Sequence, residues 1–233
     1  VNEKEALECF KTASEKGYVS AMINYGFMLE KGIGTEANPK EAAKYMQIAA
    51  DAGSPEAQFN FAHFLENGIG VSEDKKQAAF YYKKSADQGF NEAMHCYGIM
   101  IFSTDKEEAL KYFRMASSKG NSNSMNNCGY MYENGLGTSA DIIEASKYYK
   151  MSADKGNVKA MLNYIRIISQ YSNDKEEEIK YLKMAADHGS VDSMVKYGLM
   201  LISGDGGVDV NEKEALKYLT AAAKRGNERS LYL

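Results

Sequence analysis

Residues 15–35 read EKGYVSAMINYGFMLEKGIGT. Apolar side chains recur there at helical spacing, which predicts an amphipathic helix. Yet Gly26 stands in the middle of it, and Gly32 and Gly34 close it. Such glycines admit two readings: a Gly-rich loop that cradles phosphate, or places where backbones approach closely or φ turns positive. The rest of the chain decides, because the pattern returns. Aligned on an opening glycine, the segments are GYVSAMINYG, GSPEAQFNFA, GFNEAMHCYG, GNSNSMNNCG, GNVKAMLNYI, GSVDSMVKYG and GNERSLYL. They begin at Gly17, Gly53, Gly89, Gly120, Gly156, Gly189 and Gly226, with spacings of 36, 36, 31, 36, 33 and 37 residues. Self-similarity at this period is the signature of a repeat architecture.

Each unit contains two helices. Helix A begins one residue after the anchoring glycine, often behind a capping Ser54, Asn121, Asn157, Ser190 or Asn227. Helix B begins behind an Asn or Asp that stands 15 residues before the next anchoring glycine, with Glu or Gln three residues further on. The pairs are Asn2 with Glu5, Asn38 with Glu41, Asp74 with Gln77, Asp105 with Glu108, Asp141 with Glu144, Asp174 with Glu177 and Asn211 with Glu214. This predicts a capping box, in which the first side chain accepts from first-turn amides and the acid reaches back to the cap. Pro39 suits the first helical position, and Gly53 a left-handed stop. On helix B, Ala42, Ala78, Ala109, Ala145 and Ala215 share one register and Tyr45, Tyr81, Tyr112, Tyr148, Tyr181 and Tyr218 another, as expected of a close-packed inner face. Glu178 stands where the alanine should be and is expected to be exposed or hydrogen-bonded.

On helix A, Gly26, Gly98, Gly129 and Gly198 share a register with Ala62. A glycine there costs about 1 kcal/mol of helix propensity, so close packing must offset it. The closing pairs Gly32/Gly34, Gly68/Gly70, Gly135/Gly137 and Gly204/Gly206 turn the chain toward the next cap, and none is followed by the Lys-Ser/Thr of a phosphate loop. The glycines therefore read as architectural.

Composition narrows the function. Hydrophobic residues at 44% and charged residues at 26% describe an ordinary folded chain. A net charge of -4 gives no drive toward nucleic acid. No apolar run approaches the roughly 20 residues of a membrane span, and VNEKEALECF carries no signal-peptide pattern. Cys9, Cys96 and Cys128 are odd in number and irregularly placed, and no Asn-x-Ser/Thr occurs. A reducing, cytoplasmic setting is expected. With two prolines and no Trp, the composition favours helix.

The pattern A-x(3)-Y-G-x(2)-L-x(2)-G-x-G of Ala21 to Gly34, followed by an Ala-x-x-Tyr helix ending Ala-Ala-x-x-Gly over Ala42 to Gly53, resembles the Sel1-like repeat, a relative of the tetratricopeptide repeat. The resemblance covers essentially the whole chain. It implies an all-α fold: an α-solenoid, wound as a right-handed superhelix, of about six helix-pair repeats flanked by half-repeats. Residues 1–233 then form a single repeat domain. The units YGIMIFSTDKEEA and YIRIISQYSNDKEEE lack the Gly-x-Gly turn, and the short connections at Phe102 to Asp105 and Gln170 to Asp174 are expected to alter the local curvature. A half-unit at each end suggests a segment of a longer protein, whose ends meet further repeats or another copy.

The resemblance also implies a non-enzymatic adaptor or scaffold that holds proteins or peptides, as family members do in signalling and protein quality control. In related solenoids helix A lines the concave surface, so the sixth and tenth residues after each anchoring glycine become the candidate lining. These are Ile23 and Phe27, Phe59 and His63, His95 and Ile99, Asn126 and Tyr130, Leu162 and Arg166, and Val195 and Leu199. Such a mixed aromatic and aliphatic surface suits a peptide with apolar anchors, and Arg166 could grip a carboxylate or phosphate. The alternative is that these side chains meet one another across the groove.

Two other functions compete. A cysteine-rich branch of the family is associated with β-lactamase activity, but it depends on paired cysteines in each repeat, and these are missing here. A structural spacer attached to a catalytic domain elsewhere is the other. His63, His95 and His188 occupy different repeat positions without zinc spacing, and GDGGVDVNEKE misplaces the glycine and glutamate of a calcium loop. No cofactor or metal is expected. Met22, Met94, Met125, Met161 and Met194 share one helix-A register, and Met28, Met100, Met131 and Met200 another, which places them in packing between layers.

Overall fold

The computed structural model describes residues 2–172 and 174–226. The proposed cap Asn227 and the half-helix expected after Gly226 lie outside them. Among the described residues there are thirteen α-helices and no strand. Two compact units divide the chain, Val1–Lys119 and Gly120–Leu233. The first holds α1 (Glu3–Glu15), α2 (Val19–Lys31), α3 (Pro39–Asp51), α4 (Pro55–Asn67), α5 (Lys75–Asp87), α6 (Asn91–Ile101) and α7 (Lys106–Ser118). The second holds α8 (Ser122–Asn134), α9 (Ile142–Ala153), α10 (Val158–Tyr171), α11 (Lys175–Asp187), α12 (Val191–Ser203) and α13 (Glu212–Lys224), with one 3-10 turn at Asp205–Gly207. Even-numbered helices are helix A and odd-numbered ones helix B. Within each unit every helix packs chiefly on its neighbours in sequence, so the fold is an all-α solenoid of repeats.

All seven helix-B caps form as expected on one side: each Asn or Asp side chain accepts a first-turn amide. Each is worth about 1 kcal/mol. The return half of the capping box differs. The backbone N–H of the cap is already used, donating to the end of helix A in Asn38→Leu29, Asp74→Leu65, Asp141→Tyr132 and Asn211→Leu201. With that donor taken, Glu41 and Glu214 instead accept from the cap's own side-chain amide, and Glu5 accepts from Asn2 in the same way. Elsewhere the acid bridges to the preceding helix B, as Glu108 does with Lys83 and Glu177 with Lys150.

Two devices hold successive layers together. In the first, the helix-B tyrosine donates its hydroxyl to an aspartate near the end of the previous helix B. Tyr81 reaches Asp51 (2.7 Å), Tyr112 reaches Asp87, Tyr181 reaches Asp154 (2.5 Å) and Tyr218 reaches Asp187 (2.6 Å). The same rings meet a helix-A aromatic edge to face at 4.7–5.2 Å, as in Tyr97–Tyr112 and Tyr197–Tyr218, a geometry favoured by the ring quadrupole.

The second device is the mid-helix glycine. A Cβ on Gly129 would lie 2.6 Å from the Tyr149 ring, and one on Gly98 2.7 Å from Phe113. The missing side chain makes room for a buried ring of the next helix B, which accounts for the glycine. The Gly-x-Gly turn has a comparable role. Gly70, at φ +67°, lies so close to the start of α3 that a Cβ would overlap the Pro39 carbonyl, and Gly34 abuts Glu3 at the start of α1 in the same way. These two turns cover the first turn of the preceding helix B.

Met22, Met94, Met125, Met161 and Met194 are buried, as their shared register predicts. Glu178 is buried too, but it receives Lys175 at 2.8 Å and Lys196 at 3.2 Å. Burial pushes its carboxyl up, while the bonds from Lys175, Lys196 and Ser169 together hold it below the ordinary value.

Candidate protein-binding surface

Helix geometry sorts the twelve candidate residues. At about 100° per residue, the buried arc of helix A spans the fourth, fifth, eighth, ninth and eleventh positions after the glycine. The sixth lies about 60° beyond the edge of that arc and the tenth about 100° beyond it. The structure follows this order. In the tenth position Phe27, Ile99 and Tyr130 are 48%, 53% and 48% exposed, and His63 and Arg166 are also exposed, whereas Leu199 is half-buried. In the sixth position Leu162 is exposed, and Phe59, His95 and Asn126 are half-buried. Ile23 and Val195 sink into the cores of their units. They are short β-branched side chains beside the edge of the arc, and they pack inward instead of lining a surface.

In the first unit, Phe59 stacks obliquely on Phe90 at 5.2 Å and on Tyr82 at 5.6 Å, which fixes its ring against the core. His95 lies 5.9 Å from the Phe113 ring, and burial pushes its imidazole below the ordinary value, so it stands neutral near pH 7. His63 is tied to Asn67, whose Nδ2 lies 3.0 Å from Nδ1 of the imidazole.

In the second unit polar bridges join neighbouring A helices. Asn163 of α10 donates to Asn126 of α8 at 3.1 Å. Arg166 of α10 places Nη2 at 2.7 and 2.8 Å from the two carboxylate oxygens of Glu133 on α8. The expectation of a guanidinium open to a ligand anion is therefore corrected: Glu133 already neutralises it. The same carboxylate accepts from the buried Tyr149 hydroxyl at 2.8 Å, so Arg166, Glu133 and Tyr149 form one bridge. The signal was present in the sequence as Glu66 and Glu133, which hold the same place in α4 and α8, each receiving a helix-B tyrosine.

The Sel1 repeat family model matches residues 1–18, 19–54, 55–90, 93–121, 122–157, 174–190 and 191–227. The chain belongs to the Sel1 repeat family. The Sel1 repeat protein from Oxalobacter formigenes is similar to it, at 30% identity and TM-score 0.74, over 89% of this chain and 88% of that one. A protective antigen of uropathogenic Escherichia coli with an SLR fold superposes at TM-score 0.84 and 23% identity; it covers 97% of this chain, which spans half the length of that protein. The C-terminal part of a TPR repeat-containing protein from Cytophaga hutchinsonii shares the fold more distantly, at TM-score 0.56 and 12% identity over 99% of this chain and 94% of that one. Among curated proteins no sequence match is found. Sel1 repeat proteins are generally non-catalytic scaffolds that bind other proteins. Among the described residues of this Sel1 repeat chain, no helix is long and apolar enough to cross a membrane. The longest internal stretch that the family model leaves unmatched, residues 158–173, coincides with α10.

Proposed function

We propose that this chain is a non-enzymatic adaptor whose helix-A faces hold an extended or helical segment of a partner protein. The observation that carries the reading is the exposure of large apolar side chains in one register: Phe27 and Ile99 in the first unit, Tyr130 in the second. Their neighbours at the fourth, fifth, eighth and ninth positions are consumed by packing while these side chains are not, which supports a role in contact with another molecule. Aromatic residues of this kind tend to dominate interface energy. Half-buried Phe59 and His95 accompany Phe27 and Ile99 in the first unit, and half-buried Asn126 and exposed Leu162 accompany Tyr130 in the second.

The thiols support a non-catalytic reading. Burial raises the Cys96 thiol to about 11, away from the thiolate a nucleophile needs, and Cys128 is fully buried, out of reach of a substrate. No disulfide joins Cys9, Cys96 or Cys128, which favours a reducing compartment such as the cytoplasm.

The test is a pull-down from native cell extract with the chain and with a Phe27→Ala, Ile99→Ala, Tyr130→Ala variant of unchanged helicity. Loss of a partner with the variant alone supports the adaptor reading and locates its surface. A partner retained equally by both would remove these faces from consideration.

A further inference from the structure

A second surface arises from a missing turn. Three of the Gly-x-Gly turns that follow helix A lie against the start of the preceding helix B. Gly34 sits on Glu3 and Lys4, Gly70 on Pro39 and Lys40, and Gly206 against Ile179. Counted from the helix-B cap, these are the first, second and fifth residues. After α10 no such turn exists, so the matching residues of α9, Ile142, Ile143 and Ser146, have no cover from this chain's turn. All three line a depression of about 290 Å³ between α9 and α10, which Ile167, Ile168 and Tyr171 complete on the other side.

The residues at this opening are themselves departures. The first two positions of helix B are charged in α1, α5, α7, α11 and α13, and they include Lys40 in α3. In α9 they are Ile142 and Ile143. The other unit that lacks the turn, after α6, leaves Lys75 and Lys76 at the equivalent place on α5, and these are exposed and compatible with water. At α9, by contrast, Ile143 is 69% exposed and Tyr171 61%. Apolar side chains therefore appear at the one place where deletion of a turn leaves apolar residues without a lid. α10, which forms the other wall, is also the segment that departs from the family pattern.

We propose that this depression docks a partner protein through a branched aliphatic residue carried on a tight, glycine-containing turn. The occupant is argued from the chain itself. In the first unit the equivalent place is filled by Gly-Ile-Gly turns, whose Ile33 and Ile69 are half-buried against the core. Acidic residues follow both turns, at Glu36 and at Glu73 and Asp74. The rim of the depression carries the exposed Lys147, which an acidic residue after the docked turn could share with Glu144. The site uses none of the twelve helix-A lining residues, so it stands or falls apart from the adaptor surface proposed above.

The probe is a synthetic peptide copying Glu66–Asp74, ENGIGVSED, titrated into the isotope-labelled full chain and followed by amide chemical shifts. Saturable shifts are expected at Ile142, Ile143, Ser146 and Tyr171. They should be lost with a peptide carrying Gly in place of Ile69, and weakened at least about tenfold by Ile143→Asp in the chain. Ile143 is exposed, so that variant should keep its helicity; Ser146→Trp, which fills the depression, should abolish the shifts independently. No saturable shift at low-millimolar peptide, or equal shifts with the glycine control, would overturn the proposal. Sedimentation that detects a dimer dissolved by Ile143→Asp would also overturn it, in favour of a second copy as occupant.

Discussion

Replacing Gly129 with Ala tests the account of the mid-helix glycines, because two opposing effects can be set against each other. Alanine gains about 1 kcal/mol of helix propensity over glycine. Its Cβ would lie 2.6 Å from Cδ1 and 2.7 Å from Cε1 of Tyr149. That ring is fully buried and its hydroxyl is bound to Glu133, so it cannot swing aside. Overpacking of a close-packed core costs about 1–3 kcal/mol. Ala62 holds the same register in α4, so a helix pair laid out around a methyl is compatible with the fold, and the cost should fall in the lower half of that range. The net expectation is a loss of up to about 1 kcal/mol. Gly26→Ala is the internal comparison. Its Cβ would meet the flexible end of Met46, Cε at 3.1 Å, which can move, and the Ala42 carbonyl oxygen at 3.3 Å, a milder approach than the ring at Gly129, so the propensity gain should cancel most of the cost. Urea denaturation followed by circular dichroism reads both variants. If Gly129→Ala proved as stable as Gly26→Ala, or more so, the claim that glycine is there to admit the ring would be wrong.

Gly70→Ala should cost about 2 kcal/mol or more, since it adds left-handed strain to overlap with the Pro39 carbonyl; a thermal melt within a degree of the parent would contradict this. Tyr181→Phe removes a bond to Asp154 and should cost about 1–2 kcal/mol, because the aspartate left behind is exposed and can be hydrated; chemical denaturation measures it. Burial, reinforced by neighbouring acids, raises the phenols of Tyr25, Tyr81 and Tyr164 from 10 to about 12. Since the folded state then holds its protons longer than the unfolded one, stability should be unaffected by these groups below pH 10 and decline between pH 10 and 12, as spectrophotometric titration alongside unfolding would reveal.

Much of the fold could be read from one dimension because its signals are local. A cap and the residues it serves lie within one helical turn, and a stop glycine acts where it stands. The tyrosine joints were half legible: Tyr81, Tyr112, Tyr181 and Tyr218 were singled out, but Asp51, Asp87, Asp154 and Asp187 lie about thirty residues earlier. Their pairing depends on the offset between stacked helices. The return half of the capping box was misread because the demand on the cap's N–H comes from the previous helix, as in Asn38 to Leu29. The binding surface divides in the same way. Periodicity separated Phe27, Ile99 and Tyr130 from the core. It placed Ile23 and Val195 too far out, since a residue at the edge of a buried arc is decided by side-chain length and local packing. Arg166 could not be known as paired until α8 and α10 were laid side by side. The opening at Ile143 follows from a turn absent about thirty residues later in the sequence, an omission that no local pattern around Ile143 records.

The tyrosine–aspartate joint bears on how such chains change length. In the middle of a unit, a single helix B carries both halves: α5 offers Tyr81 backward to Asp51 and Asp87 forward to Tyr112. Any copy that carries both halves can follow any other, much as one link of a chain follows another, and α1 ends in Glu15, an acid in the register of Asp51. A duplication or deletion that brings two such copies together in frame therefore leaves their joint with a partner, whereas α7, which carries Ser118 in place of the acid, cannot offer the forward half. Gain and loss of units is then limited by what the outer surfaces must bind, while the interior accepts either.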